Sequence, residues 1–198
     1  MKTTISSFAL AAAGVCVLAA ACSRSTPSSM SSMSPMSPSM SGTPGAFPVR
    51  GQNADVVAGV EQVRAATARF ANLDSAVAAG YPHDVPQCFA NGAEGAMGFH
   101  HVNRTYISRE LDLAKPQILI YERMPNGHYI LNGVEFFIPF TRWPADSVAP
   151  TLLGQQLKPY SDLRIWSIHM WVWKENPSGL FADWNPRVQC PAAAATHM

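Results

Sequence analysis

Trp166-Ser167-Ile168-His169-Met170-Trp171-Val172-Trp173 is apolar on whichever side of a strand its residues are placed. Successive strand side chains point to opposite faces, so a half-exposed strand alternates polar with apolar residues, and this one does not. Such a run suggests a sheet covered on both sides or curled into a barrel. It continues outward from Arg164 to Lys174, and two further runs rich in β-branched and aromatic residues precede it, Ile118 to Glu122 and Tyr129 to Phe140. Pro125-Asn126-Gly127 between those two runs is a hairpin signal.

Upstream, Val56, Val60, Val63, Thr67, Phe70, Leu73 and Val77 recur at helical spacing, and Asn53 or Asp55 can cap the first turn. Gly80 is a C-terminal stop, Gly59 weakens the first turn, and Glu61, Arg64 and Arg69 fall mostly off the apolar stripe. A continuous helix over 54–79 would be roughly 39 Å long. Between Tyr81 and the strands, Pro82, Pro86, Asn91, Gly92, Gly95 and Gly98 mark an irregular stretch. The expected domain, over residues 52–191, is α+β: one long N-terminal helix packed on a curled or barrel-like antiparallel sheet of three or four strands.

The flanks read differently. Met1-Lys2 followed by the uncharged, Ala-rich stretch Ile5 to Ala21 has the order of a secretory signal and, at about 17 residues, is short for a membrane span. Leu18-Ala19-Ala20-Ala21-Cys22 resembles a bacterial lipoprotein signal, with Cys22 as the lipidated first residue. Leu18 stands one place further from the cysteine than that pattern asks, and ordinary cleavage after an alanine is the alternative. Residues 22–51, mostly Ser, Pro, Met, Thr and Gly, bury too little apolar surface to offset their ordering entropy and are expected to be a disordered tether. As a flexible coil, about 28 residues span roughly 30 Å. Met30, Met33, Met36 and Met40 within it could offer soft sulfur to Cu(I), but with no His or Cys inside the run a low-complexity spacer is the simpler reading. Residues 192–198 are expected to be a disordered tail. The protein is thus expected in the periplasm or cell envelope, held to a membrane through lipid on Cys22.

Export also frames the cysteines. Cys16 leaves with the signal and Cys22 carries lipid, so Cys88 and Cys190 remain as a disulfide pair. Closing a loop of that length stabilises by about 4.7 kcal/mol on the chain-entropy estimate. Formal net charge is +1 with 14% charged residues and no basic run, which argues against a nucleic-acid partner, since that needs clustered Lys and Arg.

The chain has no G-x-S-x-G, phosphate-binding loop, H-E-x-x-H or dinucleotide fingerprint, and Gly92-x-x-Gly95-x-x-Gly98 has the wrong spacing for the last. What stands out is ionisable residues inside apolar strands: His169, Glu135 in Gly133-Val134-Glu135-Phe136-Phe137, Glu122 closing its run, and His100 beside His101, of which only one can point inward. A buried carboxylate needs a cation, a metal or a proton donor. His100, His169 and Glu135, with Glu122 as a fourth candidate, could hold Zn, Cu, Mn or Fe. The plainer alternative pairs Glu135 with Arg123, Arg142 or Arg164 and leaves the histidines as hydrogen-bonded structure. A second candidate is a non-metal ligand pocket, apolar or sugar-binding, built from Trp171, Trp173, Lys174, Asn176, Asp183 and Trp184; against it, Asn and Asp in that segment suit tight turns. A purely structural envelope protein is the third reading.

Ala76-x-Ala78-x-Gly80-Tyr81, Gly95-Ala96-Met97-Gly98-Phe99-His100, Ile120-Tyr121-Glu122, Gly133-Val134-Glu135-Phe136 and His169-x-Trp171-x-Trp173-Lys174-x-Asn176-Pro177-x-Gly179 to Cys190 together resemble an uncharacterised family of exported bacterial proteins and lipoproteins of unknown function. The resemblance covers about residues 60 to 191, and its last block is the most specific. It implies a complete domain and makes His100, not His101, the histidine of the motif. It implies no activity and no catalytic residues.

Overall fold

The computed structural model describes residues 46–82 and 87–191 and the backbone of Ala195–His197. The signal segment, Cys22 and the tether as far as residue 45 lie outside the described residues, as does most of the tail. Among the described residues no helix is long and apolar enough to cross a membrane.

Helix α1 is Ala54–Thr67, capped by Asn53, whose side chain accepts the Val56 N–H at 2.9 Å. Val56, Val60 and Val63 form its buried stripe. The continuous helix expected over 54–79 is not formed. A 3-10 turn, Ala68–Ala71, follows α1, and a short α2, Leu73–Ala78, begins afresh. Two local competitors explain the break. Asn72 is extended, and its side chain accepts the N–H groups of Asp74 and Ser75, which makes it a new N-cap. The Phe70 carbonyl is taken by the Tyr121 hydroxyl at 2.6 Å instead of by a helical amide. Gly80, at φ +93, ends α2, and the Tyr81 N–H reaches back to the Ala76 carbonyl at 3.0 Å.

Arg64, expected off the apolar stripe, is buried. Its guanidinium donates to the Val172 carbonyl at 2.8 Å and to the Phe47 carbonyl at 2.7 Å, and lies over the Phe47 ring. Phe47, counted with the tether by composition, is therefore docked on the domain.

The strands are β1 (Cys88–Asn91), β2 (Gly95–Val102), β3 (Ile118–Arg123), β4 (Tyr129–Pro139), β5 (Thr151–Leu152), β6 (Gln155–Gln156), β7 (Lys158–Tyr160), β8 (Ile165–Met170) and β9 (Ala195–His197). β5 and β6 form a separate hairpin; the rest make one curled, half-barrel sheet in the order β7-β8-β4-β3-β2-β1-β9. Its neighbours are antiparallel except for β1 and β9. The stretch expected to be irregular contains β1 and the first half of β2. Pairing of Phe99 to Val102 with Ile118 to Tyr121 decides this, over the turn preference of the local glycines. Cys88 and Cys190 are joined by a disulfide, with their Cα atoms 5.5 Å apart.

The run Arg164 to Lys174 is also shorter as a strand than it reads. β8 stops at Met170 and the backbone turns away: the Trp171 N–H donates to Leu180, and the N–H groups of Trp173 and Lys174 both donate to the Asn132 carbonyl. Gly133 permits this crossing, because a Cβ there would lie 2.7 Å from the Met170 carbonyl oxygen. Gly133→Ala is expected to destabilise the domain by about 1–3 kcal/mol, read as a lowered denaturation midpoint with an unchanged slope. A midpoint equal to that of the parent protein would show that the crossing is not tightly packed.

The sheet separates two cores. On one side Leu119, Tyr121, Val134, Phe136, Ile138, Ile168 and Met170 meet Val56, Val60, Val63 and Phe70 of the helical segment, with Trp173 among them. On the other side Ile118, Ile120, Phe137 and Trp171 pack with Ala96 and Val188 in a smaller core. The second, helix-free side carries His100, Glu135 and His169, whereas His101 is buried on the helix side against Tyr121; His100 and His101 both point inward because the sheet is covered on both faces.

Candidate metal centre

Register places these residues. Glu135 on β4 pairs with Ile118 of β3 on one side and His169 of β8 on the other, so all three side chains share a face. His100 on β2 pairs with Ile120, two residues along β3 and hence on the same face. Flat strands would hold β2 and β4 about 9.6 Å apart across β3, and the curl of the sheet tips the side chains together.

His100 Nε2 lies 3.3 Å from Glu135 Oε2, and His169 Nε2 lies 3.8 Å from the same oxygen. One ligand atom from each of the three side chains falls within 4.8 Å of the other two, an arrangement that could hold a metal ion. Ligand atoms about 2.0–2.1 Å from a tetrahedral ion stand about 3.3–3.4 Å apart, so both histidine nitrogens already lie within about half an ångström of that spacing from the Glu135 oxygen. All three residues are buried.

The surroundings orient the trio. The Ser167 hydroxyl, on the same face of β8, donates to Glu135 Oε1. The Phe89 ring meets His100 edge-on at 5.3 Å, and Trp171 stacks on His169 at 6.3 Å. His169 Nδ1 faces Asp183 Oδ1 at 3.7 Å, too far for a hydrogen bond. The other Asp183 oxygen accepts from Lys158 Nζ at 2.7 Å. His100 Nδ1 and both ring nitrogens of His169 are buried without a hydrogen-bond partner. Leaving one buried polar group unsatisfied costs about 1–3 kcal/mol, so a cluster of them around one carboxylate is unusual in a packed interior.

Charge sets the ionisation. Burial pushes the Glu135 carboxyl up, but His169, His100 and the Ser167 hydroxyl outweigh it and bring the group down to about 2. Asp183 behaves alike: burial raises it, and His169 with Lys158 brings it to about 2. The Tyr160 phenol is pushed the other way, by burial and then by the charges of Asp183 and Glu135, and stays protonated. Both carboxyls thus lie below their ordinary values of 4.5 and 3.8. Their stabilisation is present above those values and is lost as pH falls through about 4.5 toward about 2. The metal-free protein should therefore hold its melting temperature down to about pH 5 and lose it progressively below, and Glu135→Gln should flatten that descent. An equally steep descent in the Gln variant would place the acid sensitivity elsewhere.

Glu122, the fourth expected ligand, lies outside this cluster. It shares the face of Ile118 but sits four residues, about 13 Å, further along β3. There it accepts from Lys174 Nζ and, at 3.0 Å, from the Gln189 N–H, pinning the C-terminal segment to the sheet. None of Arg123, Arg142 and Arg164 is among the groups meeting Glu135.

The expected aromatic pocket does not assemble either. Because β8 ends at Met170, Trp171 and Trp173 fall in different cores, and both are buried. Trp171 donates to the Ala182 carbonyl and Trp173 to the Thr67 hydroxyl. Lys174 serves Glu122, while Asn176 bonds to the Trp184 carbonyl and the Ser178 N–H as a turn residue. Trp184 and Asp183 line an open surface cleft of about 390 Å³ with Lys158 and Ser178. Of this group only Asp183 and Trp171 reach the His/Glu cluster. Ser167 and Phe89 complete its surroundings; Ser167 carries no sequence signal beyond strand position, and Phe89 lies in the stretch expected to be irregular.

No family model matches the chain, and neither the curated proteins nor the solved structures compared with it include a match.

Proposed function

We propose that this protein binds one transition-metal ion through His100, Glu135 and His169, in an exported domain of the kind its sequence resembles. The observation that carries the reading is the convergence of two imidazole nitrogens and one carboxylate oxygen in a buried site where His169 Nε2 lacks a hydrogen-bond partner. A shared cation would take up His169 Nε2 together with His100 Nε2 and the Glu135 carboxylate. Two neutral imidazoles and a carboxylate suit Zn, Cu, Mn or Fe and leave coordination positions open for water or a substrate group. Such an ion could act by carriage alone or by polarising a bound oxygen. Titration of chelator-treated protein with each ion, followed by elemental analysis, should give one equivalent of at least one of them. Substoichiometric loading by all four would end this reading.

The same proposal places the domain at a membrane surface through lipid on Cys22, supported by the apolar segment that precedes it. Mass spectrometry of the protein recovered from cell membranes should show an acylated Cys22 at the N-terminus. An unmodified chain starting at another residue would remove the anchor and leave the metal site untouched.

A further inference from the structure

We infer that Asp183 is a positioning residue for this centre, holding the His169 ring through Nδ1 so that Nε2 is presented toward the point shared with His100 and Glu135. The inference rests on the metal-binding reading above. His169 is held by few other polar contacts: both its nitrogens are buried and lack hydrogen bonds, and its ring is otherwise fixed by stacking on Trp171. On one side Nε2 faces Glu135 at 3.8 Å, and on the opposite side Nδ1 faces Asp183 at 3.7 Å. A small rotation of the ring or of the carboxylate closes the second gap to a hydrogen bond. Asp183 is itself anchored, since Lys158 on the edge strand β7 holds its other oxygen at 2.7 Å. A ligand imidazole whose far nitrogen donates to a carboxylate is fixed in tautomer and orientation and made a better donor, and loss of such a partner costs about 10–100-fold in metal affinity. Asp183 also lines the open cleft with Lys158, Ser178 and Trp184, so it joins the buried centre to the solvent side of the domain.

The test uses Co(II), whose visible absorption reports coordination geometry, with Zn(II) competition for affinity, on the full chain and on Asp183→Ala, Asp183→Glu and Lys158→Ala. The expected result is binding by the parent protein, a 10–100-fold weaker affinity and altered visible bands in Asp183→Ala, and partial recovery of both in Asp183→Glu. Lys158→Ala should change affinity by less than Asp183→Ala, because the carboxylate remains. Each variant's melting curve without metal verifies that it is folded. If the parent protein binds and Asp183→Ala binds equally with the same spectrum, the role assigned to Asp183 is overturned while the metal site stands. If Asp183→Ala does not fold, Asp183→Leu, which fills the space but accepts no hydrogen bond, takes its place, and unchanged affinity and bands there overturn the role equally. If the parent protein itself takes up no ion, both inferences fall together.

Discussion

Replacing His169 by alanine is expected to weaken divalent-metal binding by at least about 100-fold and to abolish the thermal stabilisation that the metal gives the parent protein. His169 supplies one of three protein donors, and the remaining pair, His100 Nε2 and Glu135 Oε2 at 3.3 Å, cannot enclose an ion without it. A ligand present at 100 times its dissociation constant stabilises the folded state by about 2.7 kcal/mol, which a melting curve resolves easily. After a 100-fold loss of affinity, the same concentration gives only about 0.4 kcal/mol. The metal-free variant is also expected to lose about 2 kcal/mol, because Trp171 loses its stacking partner and Glu135 loses one of the two imidazoles that face it. The decisive quantity is therefore the difference between metal-loaded and metal-free melting temperatures, not either temperature alone. His128→Ala, at an exposed histidine in the β3–β4 turn, is the control and should retain the full difference. An undiminished difference in His169→Ala would mean that any ion the protein binds sits elsewhere.

Removing the disulfide should produce the second large effect. Cys88 and Cys190 are 102 residues apart in sequence, and their bond closes strands β1 to β8 into one loop. The chain-entropy estimate for such a loop is about 4.7 kcal/mol, a large part of the 5–15 kcal/mol by which ordinary domains are stable. Cys88→Ala with Cys190→Ala is expected to move the urea midpoint down by about 2 M, for a slope of about 2 kcal/mol/M. The loss should be felt at the metal centre too. Cys88 opens β1, and its neighbour Phe89 packs against His100, so freeing that strand loosens one wall of the site. A midpoint shift below about 0.5 M would show that the C-terminal segment is held mainly by its other contacts, the Glu122 carboxylate on the Gln189 N–H among them.

Much of the sheet was legible in the sequence because its signals are local. The runs at Ile118, Tyr129 and Arg164 become β3, β4 and β8, Asn53 caps α1, and the two cysteines of the domain find each other. His100, Glu135 and His169 were conspicuous for a thermodynamic reason, since an ionisable group in apolar surroundings must be compensated. The helix was over-read: a stripe at helical spacing runs through Asn72, but whether the backbone follows it depends on Tyr121 claiming the Phe70 carbonyl from another element. The tryptophans were over-read similarly, since alternation beyond Met170 holds only while the chain remains a strand.

The sequence by itself therefore determined that this chain builds apolar, two-sided β-structure with a cysteine pair and a few costly polar residues inside it. Only the tertiary structure decided which of those residues meet. Glu122 and Glu135 look alike in sequence, yet one end of a face gives Glu122 to Lys174 and the other gives Glu135 to two histidines. Asp183, a turn residue by its local context, reaches His169 because the chain folds back after Met170. Hydrophobic period and capping act within a few residues of a position, whereas strand register, sheet curl and chain crossing join positions tens of residues apart.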